Sequence, residues 1–233
     1  MARDDFNDLG FDDMTDLGMG GFDGVDVLGG DEKVANADNT VQVHRSPHRM
    51  GRRDFARKVT SEHNLEEALD WYFEEGDCYH CFSWGDVDAL TYFKHVLRQQ
   101  RIKYAAICTW IIAGEDILDL ENWQEKGYLG RVDFYLGEIF RSSYPDVYEE
   151  LQAFIKREGG RMTVFRNHAK VMALQGEKFN VLIESSSNVN TNIRCENTVV
   201  TIDHDLVNSY LELLSGIMPY NHDDVGAPPY DQF

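Results

Sequence analysis

An α/β domain, with a mixed sheet flanked by helices, is the fold class this sequence predicts. Three observations carry it. From residue 61 to residue 160, short apolar runs alternate with stretches of helical periodicity, the pattern of strand–helix–strand units. Tyr104–Ile112 is nearly continuously apolar, as a strand covered on both faces must be. From Arg161 to Asp203 strands follow one another closely, which adds further members to the sheet without intervening helices.

Each element has its own local reason. Ser61 and Asn64 open a helix whose stripe is Leu65, Ala68, Leu69 and Tyr72. Cys78–Trp84 follows Gly76 as a short apolar strand. Asp86–Gln100 is helical, with Val87, Leu90, Phe93 and Leu97 on one side. After the Tyr104–Ile112 strand comes a helix over Glu115–Lys126, then a strand over Arg131–Leu136. Pro145 starts another helix and Gly159-Gly160 ends it, the usual placement of these two residue types. A strand over Val171–Leu174 turns at Gln175-Gly176-Glu177-Lys178 and returns as Phe179–Ile183. Asp205 opens a last helix to Leu214, and Met218–Phe233, with its Pro and Asp residues, reads as a loose tail.

Four regions follow: an acidic disordered tail over 1–32, a basic linker over 33–60, the α/β domain over 61–216 and a C-terminal tail over 217–233. The 233 residues carry 41 Asp and Glu against 22 Lys and Arg, a net charge of −19. Residues 1–32 hold ten acids and one Arg, net −9, so the remainder is still net −10. Such a body repels DNA and anionic lipid at long range, and a phosphate ligand needs a local basic site. The acidic segment repeats a Phe–acid–Leu-Gly pattern, which suits either a solvated tail or a motif docking on a protein partner through Phe6, Leu9, Phe11 and Phe22. The linker gathers Arg45, Arg49, Arg52, Arg53, Arg57 and Lys58. No run approaches the ~20 apolar residues of a membrane span, and no basic-then-apolar leader opens the chain. Four cysteines in this length do not make a disulfide scaffold. A reduced, cytoplasmic protein is expected.

The stretch that carries chemistry is Asn167–Asp203. In an extended chain His168 and Lys170 project from one face. A hairpin at Gly176 brings Ser186 and Asn188 alongside, again on a shared face. Imidazole, ammonium, hydroxyl and amide together suit a tetrahedral oxyanion, which means phosphate. Asn190 and Asn192 continue the alternation and would extend polar contacts to a substrate. Cys78-x-x-Cys81 with His80 has no second ligand pair at zinc-finger spacing and reads as core cysteines. Asp116, Asp119, Glu121 and Glu125 read as a solvated helix face.

His168-x-Lys170, then Ser186-x-Asn188, then Glu196, resembles the phospholipase D superfamily, whose motif is His-x-Lys-x4-Asp followed by Gly-Ser-x-Asn and a carboxylate. Gln175 stands at the motif Asp and Ser185 at the Gly. The resemblance implies a phospholipase D-like fold and metal-independent phosphodiester hydrolysis through a phosphohistidine, with no cofactor and with nucleic acid as the favoured substrate. It implies His168 as nucleophile and Lys170, Ser186 and Asn188 on the nonbridging oxygens. Glu196 would hold an imidazole nitrogen, and Ser185 would lie close to the phosphate. That mechanism needs two half-sites. Neither His80 nor His95 has the accompanying residues, so a homodimer is implied. The substitutions at Gln175 and Ser185 leave an alternative, a catalytically degenerate module acting in protein or DNA assembly.

Overall fold

The computed structural model describes residues 62–66, 69, 72–190, 194–219 and 224–231. The acidic segment over 1–32 and the basic linker over 33–60 lie outside these residues.

Eight strands form one mixed sheet: β1 (Cys78–Trp84), β2 (Ile102–Thr109), β3 (Leu129–Gly137), β4 (Arg161–Phe165), β5 (Val171–Gly176), β6 (Asn180–Ser185), β7 (Cys195–Ile202) and β8 (Asp224–Gly226). Their spatial order is β1-β7-β6-β5-β2-β3-β4-β8. The β2, β3 and β4 strands run parallel, and every other pairing is antiparallel. The helices are α1 (Ala89–Leu97), α2 (Gly114–Glu125), the single turn α3 (Phe140–Ser143), α4 (Pro145–Glu158) and α5 (His204–Ser215). The fold class expected from the sequence is the one observed.

The parallel strands are buried on both faces because helices cover both. On one side α1, α2 and α4 bring Phe93, Val96, Ile117, Leu120, Trp123, Leu151 and Phe154 against Ile107, Phe134, Val164, Met172 and Ile183. On the other, Val207, Leu211 and Leu214 of α5 cover Tyr104, Ala106, Ala173 and Leu182. Local sequence sets the helix ends. Pro145 occupies the first turn of α4, and Gly159 closes it in the left-handed region at φ 83°. The Asp203 carboxylate caps α5 by accepting from the Leu206 N–H at 2.8 Å.

Four sequence expectations are corrected. The C-terminal segment is not loose: β8 pairs with β4, and the Tyr230 ring stacks on Tyr104 at 3.8 Å between centroids. The prolines at 228 and 229 suggest a loose tail, but Tyr230 and Val225 supply the anchors that composition hides. Gln175 and Gly176 are the last residues of β5 rather than a turn, since Gln175 pairs with Asn180. Cys78 is exposed on the edge strand rather than in the core. Asp116 is buried in the first turn of α2, where a carboxylate meets the positive end of the helix dipole.

Candidate active site

Register places one end of every central strand on a common line. The carboxyl ends of β1, β6, β2, β3 and β4 and the amino ends of β7 and β5 coincide there, as the pairs Ser83–Glu196, Ser185–Thr198, Val171–Glu184, Cys108–Val171, Thr109–Leu136 and Gly137–Phe165 fix. The outer carboxyl end of parallel strands is where α/β sheets leave an open crevice. His168 and Lys170, in the link from β4 to β5, lie at this end.

Asn167 anchors that link. Its buried Nδ2 donates to Thr109 O and to Tyr135 O, both at 3.1 Å, and its Oδ1 accepts from Ala169 N at 2.8 Å. One carboxamide thus ties the link to the ends of β2 and β3 and fixes the backbone on either side of His168. The Asn167 N–H donates in turn to Glu138, just past β3, at 3.3 Å.

His168 is exposed and Lys170 half-buried. Lys170 Nζ donates to His168 O at 2.7 Å and stands 3.3 Å from His168 Nδ1. An ammonium only donates, so Nδ1 accepts and the neutral ring carries its proton on Nε2. Burial pulls the Lys170 pKa below the ordinary lysine value, opposed by the Glu196 carboxylate. Cys108, at the end of β2, is pushed up to about 11 by burial, against the nearby Asn167 amide and Lys170 charge.

The second group hangs from β6 and β7. Ser185 N–H donates to Lys170 O at 3.0 Å, which joins the two motifs through backbone. Ser185 Oγ is turned to Thr198 Oγ1 at 2.8 Å and receives the Ser187 N–H at 3.1 Å. Ser186 Oγ donates to the Glu196 carboxylate and accepts from Asn197 N at 3.0 Å. Asn188 Oδ1 accepts from Trp110 N at 3.3 Å and lies 3.4 Å from Thr109 Oγ1. With its oxygen so committed, Asn188 has its amide N–H groups as the remaining donors toward an anion. Asn190 N–H donates to Asn188 O at 2.9 Å. Asn192 lies outside the described residues.

Sequence reasoning missed Trp110. Its indole centroid is 5.2 Å from that of His168, the planes inclined by 52°. The ring fits because residue 137 is glycine: a Cβ there would overlap Trp110 Cδ1. Periodicity gave no signal for Trp110, since it lies inside the apolar run Tyr104–Ile112, most of which is strand core. Asn167 and Glu138 were equally silent. Among the described residues no cluster of three or more His, Cys, Asp or Glu could hold a metal ion, and no helix is long and apolar enough to cross a membrane.

No family model matches the chain, and no curated protein matches it. Solved structures do. Nuc from Salmonella typhimurium, described as a phospholipase D family member, is 18% identical, with a TM-score of 0.45 over 60% of this chain and 92% of Nuc. NucT from Helicobacter pylori is 13% identical, with a TM-score of 0.43 over 65% of this chain and 100% of NucT. Polyphosphate kinase from Porphyromonas gingivalis is 15% identical, with a TM-score of 0.48 over 63% of this chain and only 27% of the kinase. At such identity these are likenesses of fold.

Proposed function

We propose that this protein hydrolyses phosphodiesters without a metal ion, through a covalent intermediate on His168, with nucleic acid as substrate. The observation that carries the reading is the convergence of His168 and Lys170 with Ser186, Asn188 and Glu196 at one end of the sheet, through the Ser185–Lys170 backbone bond. In the reaction His168 Nε2 attacks phosphorus, and the bond from phosphorus to the leaving oxygen breaks. A second histidine gives its proton to that oxygen. The same histidine then takes a proton from water, whose oxygen displaces Nε2 and frees the phosphomonoester. Lys170 moves from Nδ1 onto a nonbridging oxygen, where Ser186 and the Asn188 amide join it. As Lys170 leaves, water takes the Nε2 proton and gives one to Nδ1, so the Nε2 lone pair becomes nucleophilic.

One chain supplies one His168 half-site. The second histidine comes from a second copy, related by a twofold axis that sets the two half-sites face to face. Light scattering at micromolar concentration should then give twice the 26.8 kDa of the chain. A monomer that remains active would remove the partner from the mechanism.

The test is cleavage of DNA, RNA and a small aryl phosphodiester by purified protein in EDTA. The wild type should turn over and His168→Ala should not. A requirement for divalent metal, or survival of activity in His168→Ala, contradicts the proposal. Inactivity on all three substrates supports the second reading, a degenerate module. That reading is favoured by Gln175, whose Oε1 accepts from Tyr230 OH at 3.1 Å and so serves the C-terminal segment.

A further inference from the structure

Thr109 closes β2 and is wholly buried, although valine would fill the same space in a strand covered on both faces. A buried hydroxyl must have partners, and its partners show what it serves. Its one proton goes to Ile111 O at 2.8 Å, with Asn188 Oδ1 beside it at 3.4 Å. Its oxygen accepts the Val189 N–H at 3.2 Å. The Thr109 backbone carbonyl accepts from Asn167 Nδ2 at 3.1 Å. None of these partners belongs to one of the eight strands. Strand order explains why they gather here. The β5 strand lies between β6 and β2, so the loop that carries Ser186 and Asn188 passes the amino end of β5 before it meets β2. From the other side, the link that carries His168 and Lys170 passes the ends of β3 and β2 on its way from β4 to β5. The two segments come together at Thr109. The loop then stays against the exit of β2, where Ala113 N–H donates to Val189 O at 3.1 Å and Ile112 forms a parallel bridge with Val189.

We infer that Thr109 is a positioning residue, whose hydroxyl holds the loop of Ser186 and Asn188 at the distance from His168 that a tetrahedral phosphate requires. This role rests on the phosphodiesterase reading, under which Ser186 and Asn188 touch the substrate and Thr109 acts through Val189 and Asn188. The β2 strand itself has no need of the hydroxyl, since its ladders to β3 and β5 are made by backbone. The loop does need it. Asn188 Oδ1 faces two donors, Trp110 N–H at 3.3 Å and the Thr109 hydroxyl, which turns the Asn188 amide N–H groups outward. Val189 is buried, so its N–H cannot turn to water instead. Removing the hydroxyl takes away one of the donors to Asn188 and strands the Val189 N–H. The loop must shift to repair both. A shift of the order of 1 Å between the loop and His168 is enough to slow catalysis severely.

Full-length variants separate positioning from stability. Thr109→Val keeps the shape and removes the hydroxyl. Thr109→Ser keeps the hydroxyl and removes a buried methyl group. Tyr230→Phe removes one hydrogen bond near the amino end of β2, remote from His168. Turnover of the small aryl phosphodiester in EDTA and calorimetric titration with inorganic phosphate are read beside the thermal midpoint. All three midpoints should fall, because each variant loses a native contact. In Thr109→Val, kcat should drop about 10- to 100-fold and phosphate affinity about 10-fold. Thr109→Ser and Tyr230→Phe should stay close to wild type in both, whatever their midpoints. Amide exchange at Val189 should be faster in Thr109→Val and unchanged in Tyr230→Phe. Where Thr109→Val does not fold, Thr109→Ser against Thr109→Ala makes the same comparison. Unchanged kcat and phosphate affinity in Thr109→Val, or equal losses in Thr109→Ser, would overturn the role and leave the phosphodiesterase reading standing. A wild type that neither turns over the diester nor binds phosphate would overturn both.

Discussion

Lys170 Nζ lies 3.3 Å from His168 Nδ1 and 2.7 Å from the backbone oxygen of the same histidine. The lysine is therefore held against the histidine proposed as nucleophile, and under that proposal its charge state governs both anion binding and turnover. Burial lowers its pKa, so it loses its proton at a lower pH than the ~10.4 of a free lysine. Anion affinity and turnover should be intact at neutral pH and fall on the alkaline side before an ordinary lysine would titrate. Lys170→Arg stays charged throughout and should move that alkaline limb upward, whatever it does to the maximal rate. Lys170→Ala should abolish the limb together with most activity. A pH–rate profile of the three proteins decides it.

Gly137 is the floor on which Trp110 rests. Gly137→Ala places a methyl where Trp110 Cδ1 now lies, and the backbone of Asn167 closes the other side. The indole must move, and the His168 ring with it. The expected stability loss is about 1–3 kcal/mol, in the overpacking range. The expected loss of turnover is larger, about 100-fold, because catalysis is sensitive to misplacement of the order of 1 Å. Wild-type turnover in Gly137→Ala, measured on the small diester, would detach Trp110 from the site.

The C-terminal segment is held at two points. Tyr230 stacks on Tyr104 and donates to Gln175, while Arg131 reaches the Pro228 carbonyl. Arg131 also makes two 2.8 Å bonds to Asp133, which is wholly buried and accepts from Tyr104 OH at 3.0 Å. Tyr230→Phe should cost about 1 kcal/mol, the worth of one hydrogen bond. Tyr230→Ala should cost roughly twice that, because the stack is lost as well. Arg131→Leu should be the most damaging, roughly 3 kcal/mol, since it strands a buried carboxylate. Urea denaturation midpoints rank the three variants.

Thiol labelling should follow burial. Cys78 and Cys195 are exposed and should react rapidly in the folded protein. Cys81 should lag, since burial raises its pKa. Cys108, with its pKa pushed up to about 11, should react only on unfolding. Timed alkylation with peptide mapping reads the order directly.

Most of the sheet was legible because its strands and helices have contrasting periodicities. The β2 strand was readable as a doubly covered strand, and Pro145 with Gly159 bracketed α4 within a residue. The His168–Lys170 and Ser186–Asn188 pairs were named from their spacing in expected strands, whereas the structure places the first in the link before β5 and the second just past the end of β6. Trp110, Asn167 and Glu138 were not legible. Their roles come from three strand ends meeting, a long-range relation that no local window contains. Tyr230 was hidden for the same reason: its partners Tyr104 and Gln175 are 126 and 55 positions away in the chain. The exposure of Phe82 and Trp84 was also invisible, because an apolar edge strand and an apolar core strand read alike until the covering helices are placed.

The central claim is that His168 forms a bond to phosphorus, and one measurement addresses it most directly. A diester labelled on phosphorus is mixed with the protein in EDTA, quenched within the first turnover and digested. The account predicts label on the peptide that contains His168, stable to alkali and released by acid, as a phosphorus–nitrogen bond requires, and none in His168→Ala. Product formed in the wild type with no label on His168 at any quench time would contradict it.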